Sequence, residues 1–183
     1  MLARLALAQN RPGEERFADP PVSRRQKRTL RPTSSRSGDA LYAAGETASA
    51  AETYERALAS DGSHPESLLG HATVLVRGEK WRDAAEVITR IKASLDTRIR
   101  PPSLGARALT LSGRIALERG ERDLALRELR AATEIETAPA EAWFYLGEAL
   151  AGRDSPDARA AYETYLERAP AGPLAARARR AIR

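Results

Sequence analysis

The chain has 183 residues, 42% hydrophobic but only 5% aromatic, so its apolar content is chiefly Ala and Leu, the best helix formers; the β-branched and aromatic runs that make strands are nearly absent. Zero Cys excludes disulfides, thiolate metal sites and a Cys nucleophile, and no apolar stretch approaches the roughly 20 residues needed to cross a bilayer. The net charge of +5 is unevenly placed: residues 1–37 hold nine bases against three acids, while the other 146 residues hold 21 bases against 22 acids, so the basic character belongs to the ends of the chain.

Residues 1–36 open with MLARLALAQNRPGEE, which reads as the end of a helix, but Pro20, Pro21 and Pro32 break any helix that would follow. The segment is expected to be a basic, partly disordered arm. A degenerate repeat, a fragment of a longer array, or a signal peptide ending at Ala6-Leu7-Ala8 are the alternatives; the last is opposed by a short apolar run interrupted at Arg4. The SRRQKRT cluster could contact phosphates of nucleic acid or an anionic membrane, or present Thr29 to a basophilic kinase. No aromatic residue lies among these bases to stack on single strands, and a solubilising tail is the preferred reading.

From residue 37 the chain repeats. A first unit (37–62) carries Gly38, Gly45, Ala50, Tyr54 and Ala57; a second (63–100) carries Gly70, Gly78, Trp81, Ala84, Ile88 and Ile91. Ala50 to Ala84, Tyr54 to Ile88 and Ala57 to Ile91 are each 34 residues apart. The next step, Ile88 to Leu129, is 41, and SLDTRIRPPSLG holds the insertion, where Pro101-Pro102 forbids a continuous helix. A third unit (106–139) has Gly113, Gly120, Ala125, Leu129 and Ala132. The fourth (140–173) has Trp143, Leu146, Gly147, Leu150, Ala158, Tyr162 and Pro170. Residues 174–183 are expected to form a short basic helix, with Leu174, Ala178 and Ile182 on one side and Arg on the other, which either caps the last unit imperfectly or packs against another molecule.

The spacing of Trp143, Leu146-Gly147 and Leu150, followed by Ala158, Tyr162 and Pro170, resembles the tetratricopeptide repeat, and Gly113 stands 34 residues before Gly147. The resemblance implies an all-α solenoid of about four helix-turn-helix units forming a right-handed superhelix. Neither helix of a unit can bury its apolar stripe alone. Gly70, Gly113 and Gly147 with Ala84, Ala125 and Ala158 are expected where backbones approach closely, while Tyr54, Trp81, Ile88, Leu129, Trp143 and Tyr162 fill the gaps. Gly45, Gly78 and Gly120 are expected at turns that need a positive φ, and Asp39 and Asp83 near helix starts, as caps.

No catalytic motif is present. The two histidines are His64, read as a loop residue, and His71, on a first helix; HExxH, GxSxG and P-loop strings are absent. No enzyme activity, no metal, no cofactor and no small-molecule substrate is expected. The resemblance implies instead a protein-binding scaffold or adaptor whose concave face, lined by first helices, takes a peptide or helix of a partner. The groove positions of the family fall here on Ser67, His71 and Val74, then on Arg107, Thr110, Arg114 and Glu118, and then on Glu141, Phe144 and Glu148. The family's carboxylate clamp requires Asn where His71, Arg114 and Glu148 stand, so that clamp is not expected. A groove basic in the middle and acidic towards the C-terminal end is, and it suits acidic and apolar anchors. Equal weight goes to a solvated concave face with the partner elsewhere. The alternatives are an accessory protein contacting nucleic acid or an anionic membrane through its basic tail, and a structural subunit of a larger assembly. Three Lys in all against abundant Arg and Ala suggest a GC-rich bacterial genome. The expected compartment is the cytoplasm, or the periplasm or a membrane surface if the N-terminus is a truncated signal.

Overall fold

In the computed structural model the compact unit that follows the N-terminal segment spans Thr33–Arg183, and the structure describes residues 35–95, 101–151 and 156–183. The expectations placed on the basic arm, including SRRQKRT and Thr29, lie outside the described residues. Within them the elements are all helices: α1 (Ser35–Ala43), α2 (Thr47–Ser60), α3 (Pro65–Arg77), α4 (Trp81–Leu95), α5 (Pro102–Glu118), α6 (Arg122–Thr133), α7 (Ala140–Leu150), α8 (Pro156–Arg168) and α9 (Ala175–Ala181).

The helices pair as hairpins, α1 with α2, α3 with α4, α5 with α6 and α7 with α8, and each hairpin packs on the next; α9 lies against α8. Consecutive first helices (α1, α3, α5, α7) also touch one another, whereas no comparable contact joins consecutive second helices. The first helices therefore form the inner layer of a curved stack and the second helices splay outside it. The core is segmented accordingly. One cluster joins Leu68, Val76, Ile88 and Ile91 with Leu104 and Ile115; another joins Leu129 with Phe144, Tyr162, Tyr165 and Ala178. Polar braces link neighbouring units: Arg90 donates to the Gly62 carbonyl at 2.7 Å, Lys92 to Glu128 at 2.6 Å, and Arg122 Nε to the Ala149 carbonyl at 2.7 Å.

Close approach falls where small residues stand. A β-carbon on Gly147 would lie 2.7 Å from the Tyr162 ring, one on Gly113 would collide with Leu129, and ones on Gly38 and Gly70 with Tyr54. Ala84 and Ala125 are fully buried, and Ala158 is buried. Trp143 and Trp81 are only partly buried, each packed against a core cluster.

Two expectations about turns and caps are corrected. Positive φ occurs at Gly45, Gly120 and Glu79, not at Gly78, whose φ is −85°. Asp39 lies inside α1, where its carboxylate accepts the Tyr54 hydroxyl at 2.6 Å, so it is a packing partner and not a cap. Asp83 does stand in the first turn of α4. His64 is the N-cap of α3, its Nδ1 accepting the Ser67 amide at 3.3 Å.

The positive φ of Glu79 fixes the register. Gly45 and Glu79 are 34 residues apart and Glu79 and Gly120 are 41 apart, the same steps that separate the second helices. The residue of α3 equivalent to Gly38, Gly113 and Gly147 is thus Ala72, which is fully buried, and not Gly70. The sequence pattern alone places α3 two positions off, because it follows the glycine where the packing requires only a small residue.

Candidate functional site

The register determines which side chains reach the inner layer. The residue directly after the small position is Asp39 in α1, Thr73 in α3, Arg114 in α5 and Glu148 in α7, so a single row runs across the four first helices. His71 leaves it. Its Nε2 stands 3.7 Å from Glu55 of α2, and its other charged neighbours are Asp83 and Arg90 of α4 and Lys80 just before that helix, so it faces the second helices. Burial is the main cause lowering its pKa below the usual imidazole value, Glu55 opposing, and its Nδ1 is buried without a hydrogen-bond partner.

Other expected groove residues are also withdrawn. Phe144 is fully buried, with Tyr145, Tyr162 and Tyr165 edge-on around its ring at 5.5–5.6 Å. Thr110 is buried and its hydroxyl donates to the Ala106 carbonyl at 2.7 Å. Ser67 and Val74 are buried as well. Thr110 and Phe144 stand one turn before Arg114 and Glu148 on the same helical face, and neighbouring elements cover them, the Arg177 guanidinium lying over the Phe144 ring.

The remainder form a charged surface. Arg107 and Glu118 are exposed on α5, and Glu141 is half-buried on α7. The positive charge of Arg107 opposes the rise in the Tyr54 phenol pKa. Around Tyr145 of α7 gather Arg114 and Glu118 from α5, Glu141 from α7 and Arg177 from α9; burial is the main cause raising the Tyr145 pKa.

The row is not uniform. Glu148 accepts the Tyr162 hydroxyl at 3.0 Å and the Arg177 guanidinium at 3.2 Å, and Arg177 stacks 5.0 Å from the Phe144 ring. The Tyr162 and Tyr54 hydroxyls are both pushed well above the usual phenol range, chiefly by burial and then by their carboxylate partners. Thr73 spends its hydroxyl on the Leu69 carbonyl at 2.8 Å. Of the four, Arg114 has neither an ion pair nor a side-chain hydrogen bond among the described residues. Its guanidinium carbon lies 5.4 Å from the Tyr145 ring and 5.8 Å from the Trp81 ring, and its Nε is buried without an acceptor. Sequence reading missed Trp81, Tyr145 and Arg177 as parts of this surface. The signal available was the pairing of an acid after the small residue with a Tyr on the second helix, present in the outer units and absent from the middle ones.

Among the described residues no group of three or more His, Cys, Asp or Glu could hold a metal ion, and no described helix is long and apolar enough to cross a membrane.

Comparison with known proteins agrees with this architecture. No curated protein matches the chain by sequence. Among solved structures it is similar to MamA, at 23% identity over 79% of this chain and 80% of that one, with a TM-score of 0.60. It is also similar to YrrB, described as a TPR protein with an unusual peptide-binding site, at 23% identity over 73% and 66%, with a TM-score of 0.53. A chain of the APC/C hetero-tetramer Cut9–Hcn1 gives a TM-score of 0.71 at 15% identity, over 81% of this chain but 29% of that one. These likenesses establish the fold alone. The tetratricopeptide repeat family model matches residues 36–100 and 110–173, more than two thirds of the sequence, and the chain is a member of the tetratricopeptide repeat family.

Proposed function

We propose that this protein is a non-catalytic interaction scaffold that holds a peptide or helix of a partner protein against the layer of first helices. The observation that carries the reading is that layer itself: α1, α3, α5 and α7 pack side by side and present Arg107, Arg114, Glu118, Tyr145 and Glu141 on one surface. Such a face gives extended contact without requiring any change in the fold. Two of the similar structures are described in terms that fit, YrrB by its peptide-binding site and Cut9 by its hetero-tetramer with Hcn1.

Affinity purification of the full chain from its source cells tests this, run beside two variants. One carries Arg107→Glu and Arg114→Glu; the other replaces Arg24, Arg25, Lys27 and Arg28 by Gln. Loss of one defined protein partner with the first variant alone supports the scaffold. Loss with the second alone, or a catch of nucleic acid or anionic lipid, moves the function to the basic arm.

A further inference from the structure

Arg114 and Arg177 are two versions of one arrangement, of which only one is complete. Arg177 stacks on an aromatic ring, that of Phe144, and donates to a carboxylate, Glu148, at 3.2 Å. Arg114 has the aromatic partners, Tyr145 and Trp81 at 5.4 and 5.8 Å, but no carboxylate among the described residues. Glu118 is one turn further along the same helix and Glu141 lies across on α7, both near Tyr145. Neither forms an ion pair with Arg114, and an Arg-to-Glu order along a helix is the weaker orientation for such a pair. The two neighbouring rings keep water from part of the guanidinium, and burial of Nε removes more. A carboxylate arriving at its terminal amino groups therefore competes with little hydration, and it meets a planar fork of donors that matches its geometry.

We infer that Arg114, its guanidinium over the rings of Trp81 and Tyr145, is the anchor subsite for a side-chain carboxylate, an Asp or Glu within the partner's bound segment. This rests on the concave face being the binding surface. It adds the chemistry of one anchor and the two aromatic residues that position it. The ligand oxygen takes the place that Glu148 takes beside Arg177, and the exposed Arg107 adds a second positive charge along the same helix.

The test is a selection of random twelve-residue peptides displayed as N-terminal fusions to a phage coat protein, against the full-length protein. Their C-termini are blocked, so only side-chain carboxylates are offered. The selected peptides are expected to share one acidic position. Changing it to the corresponding amide, or Arg114→Gln, is expected to weaken binding about tenfold, and the two together little more than either alone. Arg114→Lys, which keeps the charge and loses the fork, is expected to fall between, and it stands in if the Gln variant does not fold. Peptides without a shared acid, or equal affinity for wild type and Arg114→Gln, overturn the inference. If such peptides still lose binding with Arg107→Glu or Glu141→Lys, the concave reading survives alone. Selected peptides insensitive to every substitution on this face, or no selected peptide at all, count against both.

Discussion

The outer and inner units of the stack use the same position on the first helix in opposite ways. In the first and fourth units an acid follows the small residue, and a tyrosine of the second helix reaches across to it: Tyr54 to Asp39 at 2.6 Å and Tyr162 to Glu148 at 3.0 Å. In the third unit Arg114 stands in place of the acid and Leu129, which has no hydroxyl, in place of the tyrosine. The outer units thus close their polar group inside the unit, and the third leaves a cation for something outside it. Two substitutions on an unchanged backbone switch a repeat from self-satisfied to open, which is how an array of near-identical modules acquires a binding position.

The largest effect expected from breaking the comparison comes from the shared packing beneath it. Gly147→Leu puts a side chain into the Tyr162 ring, whose atoms already lie 2.7 Å from a β-carbon there; thermal unfolding should show a loss of about 1–3 kcal/mol. Tyr54→Phe and Tyr162→Phe remove the internal donor to Asp39 and Glu148. Each is expected to cost about 1 kcal/mol in denaturant titration, and neither should alter binding at Arg114.

The register has its own test. Glu79 adopts φ 57°, a conformation that costs a non-glycine residue about 1 kcal/mol. Glu79→Gly should raise stability by about half that or more, while Gly78→Ala, whose β-carbon meets nothing closer than 3.6 Å, should be tolerated. If Gly78→Ala instead proves the costly change, the positive-φ position is Gly78 and the assignment of Ala72 as the small position of α3 fails.

The smallest effect is on pH dependence. Burial depresses the His71 pKa below 6.5, with Glu55 opposing that shift and Arg90, Lys80 and Asp83 the remaining charged neighbours. The unfolded chain therefore takes up this proton first on acidification. The contribution is fully present above pH 6.5 and declines as the pH falls through 6.5 towards the lower folded value. His71→Gln should flatten that part of the melting-temperature profile between pH 7.5 and 5.5.

The all-helical fold and the pairing of helices were legible in the sequence because they rest on periodicity: 34-residue steps between Ala50 and Ala84 or Gly113 and Gly147 need no knowledge of contacts. The second unit misled because a glycine is a stronger visual signal than an alanine, although Ala72 fulfils the same packing requirement and Gly70 makes room for Tyr54 of the preceding unit. That two-residue displacement carried His71 into the expected groove. Phe144 and Thr110 misled for another reason. Their exposure depends on how tightly neighbouring first helices pack, which no single helix encodes. Arg107, Glu118 and Glu141 needed only the correct helical face. The aromatic frame of Arg114 needed the third dimension, since Trp81 and Tyr145 lie 33 and 31 residues from it on either side.

The central claim, that the first-helix layer holds the partner, is tested most directly by site-specific photo-crosslinking in the source cells. A photoreactive amino acid is placed at Arg107 or Glu118 on the inner layer, and at the exposed Glu86 or Arg130 on the second helices as the comparison. The expected result is one shared protein adduct from the first pair and none of it from the second. Adducts formed only from Glu86 or Arg130 would contradict the claim and place the partner on the outer face.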